Sequence, residues 1–147
     1  MNNTEMERIP VMMTIRGEQY FDGIDPDGTK LMTEGTMRLT EGGMILSYEE
    51  TELTGMAGTT TTFEVQGKKV ILTRSGGVNS QMIFEEGRQH TSLYETPFGE
   101  LPVDIQTSRL LHNLTERGGL MEIKYSIAVA HSVTGRNCFK IRVRPKH

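Results

Sequence analysis

At 147 residues, with 35% of them hydrophobic, the chain is long enough for one packed core and too short to divide comfortably into two. A formal charge of −3 gives it no broad positive field, which argues against nucleic acid and anionic lipid as partners. One cysteine, Cys138, excludes an intramolecular disulfide, the opening residues carry neither the basic nor the apolar region of a secretion signal, and no apolar run approaches the roughly 18 residues of a membrane span. The expectation is a cytoplasmic protein off the membrane, monomer or homodimer, with residues 1–8 frayed and 9–147 forming a single domain.

Taken in order, the segments read as strands. Residues 9–16 alternate Val11, Met13 and Ile15 against Met12, Thr14 and Arg16, the period of a half-buried strand. Asp25-Pro26-Asp27-Gly28 is a turn, and 30–39 is a second strand in which Gly35 marks a bulge or a close approach. Glu41-Gly42-Gly43 turns the chain into 44–50. The β-branched segment 59–65 follows, and Gly67-Lys68 turns it into 70–74. Ser75-Gly76-Gly77 leads to 78–85, Glu86-Gly87-Arg88 to 89–96, and Pro97-Phe98-Gly99-Glu100 to 101–111. Gly118-Gly119 opens 120–133, and Thr134-Gly135-Arg136-Asn137 closes the last hairpin onto 138–144. Residues 107–114 are the weakest strand and have room for a short helix.

About ten strands joined by glycine-bearing turns at nearly even spacing must hide their edges. Consecutive tight turns favour an all-β, closed, antiparallel up-and-down barrel of eight to ten strands, of the lipocalin kind. A Greek-key sandwich needs long crossovers, and none stands out.

Several stretches together resemble one family. They are Tyr48-Glu49-Glu50-Thr51-Glu52-Leu53-Thr54-Gly55-Met56, the threonines at 59–62, Val78-Asn79-Ser80-Gln81-Met82 with Phe84, and Tyr94-Glu95-Thr96-Pro97-Phe98-Gly99. The chain is similar through them to the YwiB-like family of small bacterial proteins, a domain of unknown function, over about residues 15–125. The resemblance implies a calycin-type β-barrel, in agreement with the meander, and implies no activity. A barrel of this kind hosts carriers, enzymes and inhibitors alike, so function has to come from the site.

Taking the apolar face of each strand as inward puts Glu50 in line with Met44, Leu46 and Tyr48, Arg74 in line with Val70 and Leu72, and Arg109 in line with Leu101, Val103, Ile105 and Thr107. A polar wall of His90, Ser92, Tyr94 and Thr96 faces them, and Met121, Ile123, Tyr125, Ile127, Phe139, Ile141 and Val143 complete the lining. Tyr48, Glu50, Arg74, Tyr94 and Arg109 would then gather at one end. Two arginines against one glutamate leave positive charge over, which suits a carboxylate or phosphate held through two parallel hydrogen bonds. The same groups also make sense as a structural ion pair capping a filled core.

The threonine run reads as strand wall, Gly55 and Gly58 as the shape of a bend, and Asn79 and Gln81 as outward side chains. Four scattered histidines have no metal-site spacing, Cys138 sits off the core face as a free thiol, and no cofactor or metal is expected. Three functions of different class follow. The first is a barrel binding a small, partly apolar anion. The second is an interaction module with a filled interior, using an edge, the acidic segment or the surface around Phe98. The third is an enzyme with Glu50 as general acid or base beside Tyr48, Tyr94 or an arginine.

Overall fold

The computed structural model describes residues 8–20, 27–77, 79–130 and 132–146; the side chains of Tyr20, Asp27, Thr54, Tyr94, Glu95, Thr96, Val133 and Thr134 lie outside that description. So do residues 1–7 of the expected frayed segment 1–8, whose Arg8 already belongs to a strand, the start of the turn at 25–28, and Val78.

Ten strands follow one another: β1 (Arg8–Tyr20), β2 (Asp27–Thr40), β3 (Gly43–Glu49), β4 (Thr59–Gln66), β5 (Lys69–Gly76), β6 (Ser80–Glu85), β7 (Gln89–Thr96), β8 (Gly99–His112), β9 (Gly119–Val129) and β10 (Ser132–Pro145). They form one antiparallel sheet in the order β6-β5-β4-β3-β2-β1-β10-β9-β8-β7. β1 pairs with both β2 and β10, from Val11 opposite Pro145 to Tyr20 opposite Arg136, so the two ends of the chain meet in mid-sheet. This is the expected up-and-down barrel, nearly closed. Its remaining seam lies between β6 and β7, which are joined by a tight turn but share no ladder.

The turn at 86–88 stitches the lower end of that seam to β8. Gly87 N–H donates to Thr107 O at 2.9 Å, Thr107 N–H to Arg88 O at 3.3 Å, and Leu110 N–H to the Glu86 carboxylate at 2.9 Å. At the same place β8 slips its register against β9 between Thr107 and Arg109. Thr107 and Leu110 are buried while Ser108 and Arg109 are both exposed, because the extra bulge residue breaks the alternation. No helix forms at 107–114; the strand runs through to His112. The last hairpin also differs from expectation. The chain reverses after Val129, with Ala130 at φ 50°, and Gly135 pairs with Ile127 inside β10, next to a bulge, instead of forming a turn.

The interior is filled by inward-facing residues at alternating strand positions, with Met13, Met37, Leu46, Phe63, Phe84, Ile105, Met121, Ile123 and Ile141 all essentially fully buried and no described side chain of β7 among the buried ones. Phe84 meets Tyr125 edge-on at 4.8 Å and Tyr125 stacks on Phe139 at 5.7 Å, an aromatic column rising through the barrel. Toward the upper rim, where β3 ends, β4 begins and the β9–β10 reversal lies, the inner wall opens. Leu31, Thr33, Ile127, Val129 and Phe139 are only half-buried there. A groove of about 200 Å³ enters between Gly17, Gln19, Thr29, Tyr125, Asn137 and Phe139, with Glu18 and Cys138 at its edge.

Candidate functional site

The polar cluster stands on the upper ends of β3, β4 and β5. Strand register places Tyr48 opposite Thr61, Thr61 opposite Arg74, and Arg74 opposite Ser80, one continuous row across four strands on the barrel's inner face. Gly35 makes room for its first member. A Cβ there would lie 2.5 Å from Ser47 O, 2.9 Å from Met13 Sδ and 3.3 Å from Tyr48 Cβ, so only glycine lets β3 seat its tyrosine against β2.

β3 ends at Glu49, but Glu50 keeps one more ladder bond, its N–H donating to Thr59 O at 2.8 Å. That bond holds its side chain on the inner face. Thr51 then caps a short 3-10 turn at Glu52–Thr54, its hydroxyl accepting from Leu53 N–H at 3.2 Å, and Gly55 ends it in the left-handed region at φ 75°.

Glu50 is 5% exposed, and the Thr61 hydroxyl donates to its Oε2 at 2.5 Å. Arg74 Nε lies 3.9 Å from the same oxygen, near enough for ionic attraction and too far for a hydrogen bond. That Nε is buried and makes no hydrogen bond, although the arginine side chain as a whole is 19% exposed. Burial first, and then the charge and hydrogen bond of Glu50, push the Tyr48 phenol well above its usual range. Tyr48 is thus a neutral donor at any physiological pH. The four groups form a desolvated carboxylate held by hydroxyls, with a cation beside it whose donors are not all used.

Of the five residues expected at this end, Tyr48, Glu50 and Arg74 come together. Tyr94 pairs with Leu101 at the same rim, across the seam, and its side chain lies outside the described residues. Arg109 is elsewhere. The bulge at Ser108 turns it to the outer wall, where its side chain is 54% exposed and its Nε sits 3.6 Å from Glu122. The site therefore holds one guanidinium against one carboxylate, and the surplus positive charge expected from two arginines is absent among the described residues.

Thr61 is the partner that sequence reasoning took for wall alone. Pairing 44–50 with 59–65 through their alternation would have placed it next to Glu50. The outward neighbours repeat the arrangement, with the Thr60 hydroxyl 2.9 Å from the Glu49 carboxylate. Asn79 faces the turn below it, accepting from Gly76 N–H at 3.1 Å and donating to Gly76 O at 3.2 Å. Cys138 is off the core face as expected, yet only 4% exposed, and burial with the nearby Glu122 raises its thiol pKa. Phe98 stands 98% exposed at the β7–β8 turn, on the same rim as the cluster.

Where β3 parts from β2 beyond the Thr36–Ser47 pair, an outer groove of about 570 Å³ forms between Arg8, Arg38, Glu34, Glu49 and Thr60, with Gly35 and Tyr48 at its floor. It reaches the cluster from behind. Neither this groove nor the one at the mouth is lined by Glu50, Thr61 or Arg74.

No helix among the described residues is long and apolar enough to cross a membrane. A search of curated proteins found no match. The crystal structure of YwiB protein from Bacillus subtilis matches with a TM-score of 0.84 at 22% identity, over 99% of this chain and 98% of that one, which establishes a shared fold. The family model described as domain of unknown function (DUF1934) matches residues 3–141. The chain belongs to that family, the YwiB-like proteins.

Proposed function

We propose that the open upper end of the barrel binds a small, partly apolar anion, with Arg74 meeting its carboxylate or phosphate. The observation that carries this reading is the buried, unbonded Nε of Arg74. A desolvated guanidinium donor without an acceptor costs free energy, and a ligand oxygen would recover it. The 3.9 Å contact with Glu50 is long beside the roughly 2.7–2.9 Å of a charge-assisted hydrogen bond, so an incoming acidic group making two parallel bonds competes well for the arginine. Glu50 keeps its bond from Thr61 and shares the arginine with the ligand. Tyr48, neutral, adds no repulsion against an anion, and the column of Tyr125 and Phe139 with the half-buried Leu31 and Ile127 supplies an apolar wall.

The test is thermal unfolding with octanoate and phenyl phosphate as probes. At about a hundred times the dissociation constant, binding raises stability by about 2.7 kcal/mol and the melting temperature by roughly 5–10 °C. Arg74→Lys, which keeps the charge but loses the planar fork, should keep a small part of that rise, and Arg74→Gln none. No rise with either probe, or an equal rise in Arg74→Gln, contradicts the proposal.

A further inference from the structure

The outer wall of β1, β2 and β10 carries a different kind of site. Along β10 every second residue from Lys140 to Arg144 is a cation: Lys140, Arg142 and Arg144, all exposed. Across the ladder Arg16 lies opposite Lys140 on one side and Lys30 on the other, so three cations stand side by side on adjacent strands. Like charges placed directly opposite destabilise a sheet unless something neutralises them. The wall's own carboxylates are few. Glu122 is shared between Lys140 at 3.9 Å and Arg109 at 3.6 Å, Glu34 is taken by Lys146, and Glu18 lies beyond Arg16 along β1. Among the described residues none of Arg16, Lys30, Arg142 and Arg144 has an ion pair. Their side chains bound a groove of about 550 Å³. In a chain of net charge −3 this concentration is not a by-product of a basic composition.

We infer that this wall binds the phosphate backbone of a single-stranded nucleic acid. Same-face residues on a strand recur about every 6.7 Å and neighbouring strands lie about 4.8 Å apart, so the cations form a line along β10 that turns at Lys140 into a row across β1 and β2, with spacings that a chain of phosphates can follow. No aromatic ring stands on this wall among the described side chains, so the bases find no stacking platform and recognition is independent of sequence. A groove accepts a strand better than it accepts the flat face of a bilayer, although Met32 and Leu120 at its sides are exposed. The site is on the outside of the barrel and stands apart from Arg74.

The experiment is fluorescence anisotropy of the full chain with labelled oligothymidylate of about twenty nucleotides, titrated at about 50 to about 200 mM salt. Four neutralised phosphates give a slope of about −3 in log affinity against log salt, so binding weakens about 50-fold across that range. The double variant Arg142→Gln with Arg144→Gln should bind more weakly and halve the slope. Lys68→Gln with Lys69→Gln, the same change in net charge on the β4–β5 turn, should leave both unchanged. The inference is overturned if wild type does not bind at the lowest salt, or if the two double variants weaken binding equally. It is also overturned if the protein floats with phosphatidylserine vesicles while ignoring the oligonucleotide. Equal unfolding midpoints of the two double variants confirm that the comparison is between folded proteins.

Discussion

Glu49 and Glu50 are separated by one step of the chain, and that step sends one carboxylate outward against Thr60 and the other into the barrel against Thr61. The buried one sets the chemistry of its neighbour. Because burial and Glu50 raise the Tyr48 pKa, the folded state holds the phenol proton at pH values where the unfolded chain releases it. The stability this contributes is complete below the ordinary tyrosine value near 10 and is lost as pH rises above it. Wild type should therefore lose about 1 kcal/mol relative to Tyr48→Phe between about pH 10 and pH 11, and run parallel to it below about pH 9. Urea unfolding of the two proteins across that range checks it; parallel behaviour throughout would mean that Tyr48 is not held neutral by Glu50.

Among the elements, strands with unbroken alternation were legible, long β1 and β9 included, and the places where a bulge interrupts the pattern were not. Met44, Leu46, Tyr48 and Glu50, and Val70, Leu72 and Arg74, alternate cleanly between tight turns, so their inner faces could be read directly and three members of the cluster with them. β8 has fourteen residues and a bulge, and the reason for the bulge is tertiary: the 86–88 turn docks on Thr107 and Leu110 to stitch the seam. Nothing local to 107–110 announces that contact, and so Arg109 was expected inside. The same limit applied at Gly135, whose permissive backbone serves a bulge as readily as a turn. Deleting Ser108 would remove the extra residue and leave Thr107 in, Arg109 out and Leu110 in, the alternation of an unbulged strand. The expected outcome is cooperative urea unfolding at a lower midpoint, because the inward faces survive while the 86–88 turn loses the bulge it docks on. Ser108→Ala keeps the bulge and loses only the hydroxyl's bond to Lys124 O, so it should cost about 1 kcal/mol. Loss of cooperative unfolding in the deletion variant would show that the inward faces of β8 do not survive without the bulge.

For the molecule as a whole, net charge says little about where charge is concentrated. A total of −3 is an average, and the barrel separates what it averages: acidic groups around the β3–β4 bend, cations along the outer wall of β10. The barrel is also uneven in height. β1, β2, β8 and β10 have 13 or 14 residues, against six to eight for β3 through β7, so the cluster stands on the low wall and faces the tall one across the open rim. Below it the packed methionines and aromatics leave the interior full. On the proposed reading a ligand would enter from the rim and be short, with its acidic end at Arg74. Native mass spectrometry of the protein purified from its own host measures this directly. The account predicts an extra mass of a small organic acid or phosphate ester that is retained by wild type and missing from Arg74→Gln; a bare chain in both, or the same adduct in both, would contradict it.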